Sequence, residues 1–138
     1  MAHETFSESL YARAAGRDPS QIVTALQSVV CLGDTTAQAR ERFTRSAFDL
    51  FRLSLQKTMT KGVDLEAYVA ANLIGTPDEV CEKVAAFAQV GVAHFCATLF
   101  VGNTLDEMLE QMRAFARYVI PAFPEPSLQP TSLSPGAK

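Results

Sequence analysis

The side chains able to do chemistry in this chain are few, and many of them sit at helix starts. The stretch Leu73-Ile74-Gly75-Thr76-Pro77-Asp78-Glu79-Val80 carries the sharpest alternative. A glycine running into a helix N-terminus can cradle a phosphate, because the first backbone amides of a helix lack intrahelical partners. The same residues also spell a capping box, in which Thr76 accepts from the amide of Glu79 and Glu79 reaches back to the amide of Thr76. Thr35-x-x-Gln38 and Thr104-x-x-Glu107 repeat that spacing. Pro77 suits the first helical position, where its missing N–H costs nothing. Asp78 and Glu79 already complement the positive end of the helix dipole, and a phosphate would have to compete with them. A lone Gly75 is also far from a G-x-G-x-x-G or P-loop pattern. The spacing therefore favours a structural helix start.

No nucleophile–base–orienter set is visible among the remaining candidates. His3 lies near the terminus, and His94 falls at the start of an apolar run, the wrong end of a strand for catalysis in a parallel α/β fold, so a structural histidine is expected there. Cys31, Cys81 and Cys96 are odd in number, widely spaced and set in apolar patterns. They read as buried thiols in a reducing cytoplasm, not as a disulfide frame or a metal site. Glu41, Arg42, Arg45, Asp49 and Arg52 read as a solvated helix face. Gln27 is a polar residue inside an apolar run, where reaching a ligand and satisfying a neighbouring backbone group are both open.

The elements that must position these residues follow from periodicity. The 138 residues are 48% apolar and 20% charged with a net charge of −3, which suits one globular domain. No Lys/Arg-rich run supports nucleic-acid binding, no apolar run reaches membrane-spanning length, and the first residues lack the pattern of a signal peptide. Phe6, Leu10 and Ala14 predict a short amphipathic helix over 4–15. Ile22–Leu32 is apolar and rich in β-branched residues, as in a strand buried on both faces. Thr35 opens a predicted long helix to about residue 58, and residues 64–71 predict one or two further helical turns. Thr76 opens a helix to Gly91, residues 93–101 form a second buried strand, and Thr104 opens a last helix through Val119. Five of the seven prolines lie from Pro121 onward, so residues 124–138 read as a disordered tail.

Helices alternating with strands imply parallel pairing, yet two strands alone do not make a stable parallel sheet. The chain reads as a slice of a larger α/β structure. Strict alternation in the second strand puts Phe95, Ala97, Leu99 and Val101 on one face and His94, Cys96, Thr98 and Phe100 on the other. The mixed second face suits a barrel interior, with Thr98 and Phe100 nearest a ligand at the carboxyl end.

Four strings carry a family resemblance: AAGRDPSQI (Ala14–Ile22), VVCLGDTTAQAR (Val29–Arg40), LIGTPDEVCEKVAAFAQVGVAHF (Leu73–Phe95) and FVGNTLDEMLEQMRAFARYVIPAF (Phe100–Phe123). In combination and order they resemble the carboxyl-terminal portion of the luciferase-like monooxygenase superfamily, over residues 4–123. The resemblance implies an α/β fold, a partial (β/α)8 TIM barrel whose two parallel strands are the seventh and eighth, with their crossover and flanking helices. It implies residues 1–123 as the barrel part, followed by the tail. It also implies a flavin-dependent oxidoreductase or monooxygenase using FMN or the deazaflavin coenzyme F420 on a small organic substrate. The family's main flavin contacts and catalytic side chains lie in strands without counterpart here, so no catalytic residue is assigned. The ends of the two strands help to wall the flavin pocket, which implies Phe100 and Thr98 as cofactor-binding residues. A chain of this kind is expected to be inactive alone. The alternatives are a non-catalytic partner, associating through open sheet edges with itself or a complementary half-barrel, and a truncated gene product.

Overall fold

Thr24–Leu32 forms strand β1, the centre of a parallel three-stranded sheet. The computed structural model describes residues 11–59 and 61–124. After β1 come α1 (Thr36–Thr44), α2 (Ala47–Ser54), α3 (Leu65–Ala71), β2 (Leu73–Gly75), α4 (Pro77–Gln89), β3 (Val92–Phe100) and α5 (Leu105–Tyr118). The sheet order is β2-β1-β3, and both pairings are parallel. Residues 11–14 are helical and Ala15 begins a turn, but residues 4–10 of the first predicted helix and nearly all of the tail lie outside the described residues.

Both predicted strands are present, and β2 is an addition to them. Its three residues pair Val30 with Leu73, Cys31 with Ile74 and Leu32 with Gly75. Two side chains prolong this short ladder. Asn72 Oδ1 accepts from the Val29 amide at 3.1 Å, and Ser28 Oγ accepts from the Leu73 amide at 3.2 Å. Lys83 fixes the same corner, its ammonium donating to the carbonyls of Val69, Asn72 and Ile74 at 2.7, 2.9 and 2.9 Å. Burial pulls its pKa below the ordinary lysine value.

The predicted long helix is two helices. Ser46 interrupts it with an extended backbone, accepts from the Asp49 amide at 3.1 Å and donates to the Phe43 carbonyl at 2.6 Å. A serine able to bond both ways gives the chain an alternative to helix continuation and caps the next segment. Asp49 and Arg52, expected in solvent, are buried and ion-paired on α2.

The carboxyl half of the sheet is covered on both faces. On one face Val29, Cys31, Ile74 and Leu99 pack with Ala39 and Phe43 of α1, Phe48 of α2 and Tyr68 of α3. On the other, Val30, Leu32, Leu73, Phe95 and Phe100 pack with Val80 and Val84 of α4 and Phe115 of α5. The amino half is covered on the second face only. Ala25, Gln27, His94 and Cys96 share the first face and are exposed there.

Candidate functional site

The carboxyl ends of β1 and β3 meet the first turns of α1, α2 and α5, and a cleft of about 350 Å³ opens between them. Gln38, Arg42, Arg45, Asn103, Glu107 and Glu110 line it, with others. Its charges are largely matched within the wall. Arg42 donates to the Leu32 carbonyl at 2.8 Å and lies 3.8 Å from Glu110. Arg45 pairs with Glu41 at 2.9 Å. Asn103 bridges two loops, accepting from the Ala47 amide at 2.9 Å and donating to the Arg45 carbonyl at 3.3 Å. The arrangement supplies no nucleophile beside a base. Among the described residues no group of three or more His, Cys, Asp or Glu could hold a metal ion.

At Gly75–Glu79 the carboxylate occupies the helix start. Glu79 Oε2 accepts from the Thr76 amide at 2.8 Å, and Thr76 Oγ1 accepts from the Glu79 amide at 3.3 Å. The other oxygen, Oε1, accepts from the Thr36 hydroxyl at 2.7 Å, which ties α4 to the start of α1. The Thr36 hydroxyl, followed by the Thr76 amide, holds this carboxyl below the ordinary glutamate value. Gly75 makes the approach possible. Its φ is +156°, and a Cβ there would lie 2.6 Å from Glu79 Oε2. The capping box at Thr104 forms in the same way with Glu107. At Thr35 the Gln38 side chain reaches past the cap to the amide of Asp34.

The face expected for Phe100 is corrected by a bulge. Ser28 pairs with Ala97 but Val29 pairs with Leu99, so Thr98 is an extra residue in β3. An inserted residue reverses the alternation beyond it. Leu99 consequently takes the first face, and Phe100 turns to the second. There its ring meets Phe115 at 5.7 Å in an edge-on contact. No glycine or proline marks the bulge in the sequence.

His94 and Cys96 are also relocated. Neither is a satisfied core residue, since both are exposed on the uncovered half of the first face. Cys31 is buried as expected, and burial pushes its thiol up to about 11. Cys81 is half-buried, its pKa raised by burial and by Asp78. Thiol titration with an aromatic disulfide at pH 8 is therefore expected to show one fast-reacting cysteine, Cys96, with Cys31 reacting only on unfolding. Prompt reaction of Cys31 in the native chain contradicts its burial.

Residues 4–94 match the sequence model of a known family, luciferase-like monooxygenase. The chain belongs to that family. A monooxygenase has also been solved with this fold. The crystal structure of monooxygenase RslO1 from Streptomyces bottropensis superposes with a TM-score of 0.65 at 21% identity. The match covers 89% of this luciferase-like chain and 38% of the RslO1 chain, and at that identity it establishes the shared fold. The chain thus spans well under half the length of that structure. No curated protein matches the sequence significantly.

Luciferase-like monooxygenases generally bind flavin-type cofactors. The carboxyl-end cleft does not fit one. An isoalloxazine needs flat apolar walls, whereas this cleft presents two guanidinium groups and three carboxylates. Thr98 and Leu99 lie at the end of a strand whose neighbouring surface is filled by α1–α3.

Proposed function

We propose that this chain forms the carboxyl-terminal part of a flavin-dependent luciferase-like oxidoreductase, with FMN or coenzyme F420 as cofactor, and that it is inactive alone. The observation carrying this reading is the half-uncovered sheet. α1–α3 cover the carboxyl half of one face, while Ala25, Gln27, His94 and Cys96 stand exposed in the amino half. That pattern fits the inside of a barrel with the remaining strands removed, because inward positions of barrel strands are ordinarily filled by side chains from their neighbours. The family match and the 38% coverage of RslO1 support the same reading. A bound flavin would supply the redox chemistry. At the bulge, Leu99 takes the face expected for Phe100 and packs there beneath the α1–α3 cover. The three free cysteines suit a cytoplasmic setting. Among the described residues no helix is long and apolar enough to cross a membrane.

A second reading is favoured by the far edge of β3, which pairs with no other strand among the described residues. In it the chain is a non-catalytic partner that associates through this edge. Flavin fluorescence and light scattering test the first reading. Titration of FMN into the purified 138-residue chain is expected to give no saturable quenching. Tight one-to-one flavin binding by a monomer overturns it.

A further inference from the structure

The uncovered amino half of the first face carries three donor side chains at the spacing of metal ligands. His94 and Cys96 lie two residues apart on β3, and Gln27 of β1 pairs with Cys96. All three are exposed, while Leu26 and Phe95 between them are half-buried, so one face of the sheet presents them together. Residues i and i+2 of a strand stand about 6.6 Å apart, and neighbouring strands about 4.8 Å. A cation with bonds of about 2.0 Å to an imidazole nitrogen and about 2.3 Å to a thiolate fits between such side chains when they lean toward one another. Ala25 pairs with His94 on the same face, and its methyl group leaves that approach open. Among the described residues none of the three side chains makes a hydrogen bond or an ion pair, so binding breaks no existing contact. Neither β1 nor β3 contains a Lys or Arg that would repel a cation.

We propose that His94, Cys96 and Gln27 form a site for a borderline-soft divalent cation of the zinc class. Imidazole and thiolate together select such an ion over magnesium or calcium, which take oxygen donors. The Cys96 thiol binds as thiolate and gives its proton to solvent, and His94 binds as neutral imidazole. The Gln27 carboxamide oxygen is the third ligand, which gives a role to the polar residue inside the β1 run. That oxygen sets the site apart from clusters of three His, Cys or acids, of which the described residues hold none. Water completes the four-coordinate shell. The site uses neither the carboxyl-end cleft nor a flavin, so it stands or falls apart from the oxidoreductase reading.

Cobalt(II) is the probe, because a cobalt–thiolate bond gives a charge-transfer band in the near ultraviolet. Titration into the full chain at neutral pH is expected to raise that band to saturation at one cobalt per chain. Zinc(II) should abolish the band by displacement and should slow the reaction of Cys96 with an aromatic disulfide. Cys96→Ser should remove the band. His94→Ala should weaken binding more than about tenfold, a loss reached even for outer-shell partners of a ligand. Gln27→Glu should tighten it, since a carboxylate is a better third ligand than a carboxamide. Circular dichroism should stay unchanged in each variant, because all three side chains are exposed. Absence of a saturable band overturns the proposal, as does a band of unchanged affinity in a folded His94→Ala chain. Saturation at half a cobalt per chain overturns it too, because one ion is then shared by the Cys96 thiols of two chains.

Discussion

Asp49→Ala is expected to lower the unfolding free energy by about 4 kcal/mol, because it leaves a buried guanidinium without its carboxylate. Arg52 Nε donates to Asp49 Oδ1 at 2.6 Å, with both side chains almost wholly buried, 4% and 6% exposed. The guanidinium also lies 5.1 Å from the Tyr68 ring centre and 6.0 Å from that of Phe43, and those two rings stack at 5.5 Å. One cluster therefore joins α1 through Phe43, α2 through Asp49 and Arg52, and α3 through Tyr68. Keeping the charge buried depends on the pair, since removing one partner costs far more than replacing both with apolar groups. The double variant Asp49→Ala/Arg52→Met should accordingly recover a large part of the loss. Urea unfolding of the three proteins measures this through the midpoint at constant slope. A single-variant loss under about 1 kcal/mol would place the pair in the class of exposed ion pairs and contradict its burial. The same cluster holds the cover over the carboxyl half of the sheet, so Asp49→Ala should also raise binding of a hydrophobic dye.

That cluster shows where the sequence was legible and where it was not. The helix starts at Thr35, Thr76 and Thr104 were readable because a cap is written in four consecutive residues. The long strands are readable because short stretches rich in apolar, β-branched and aromatic residues lie between turn residues. The break at Ser46 is hidden in the sequence, since Phe43, Ala47 and Leu50 keep a helical period straight through it. Asp49 and Arg52 then looked like members of a solvated face, and only the turn at Ser46 swings them beneath Phe43 and Tyr68. β2 is illegible in the sequence because three residues cannot display a period. The bulge at Thr98 has no signature, yet it decides which of Leu99 and Phe100 faces the first side of the sheet. The exposure of His94 and Cys96 is a property of the open sheet and of no local pattern.

Gln111→Met is expected to cost about 2 kcal/mol, the penalty of a buried backbone amide left unsatisfied together with the loss of a second bond. Gln111 is 2% exposed and lies in α5, between the inward-facing Met108 and Phe115. A glutamine inside an apolar stripe reads as an irregularity, since nothing in its neighbourhood names a partner. The partner is Leu32, 79 residues away. Gln111 Oε1 accepts from the Leu32 amide at 2.6 Å, and its Nε2 donates to the Leu32 carbonyl at 3.1 Å. The pairing of β1 with β3 ends at Val30 and Phe100, followed by a bond from the Val101 amide to the Val30 carbonyl at 2.9 Å. Beyond that point the Gln111 carboxamide stands in for the next peptide of β3. It lets the chain leave the sheet at Gly102 while Leu32 stays paired. Methionine keeps the length and apolar contact of the side chain, so the variant isolates the bonds. The Leu32 carbonyl retains Arg42, whose guanidinium donates to it at 2.8 Å, but the Leu32 amide retains no replacement on that side. Hydrogen exchange discriminates the cause from general loosening. The Leu32 amide should lose protection by more than the global destabilisation accounts for, while amides in β2 and α4 track it. Equal loss at all sites would mean that Gln111 acts through packing alone, and the end of β1 would then need another explanation.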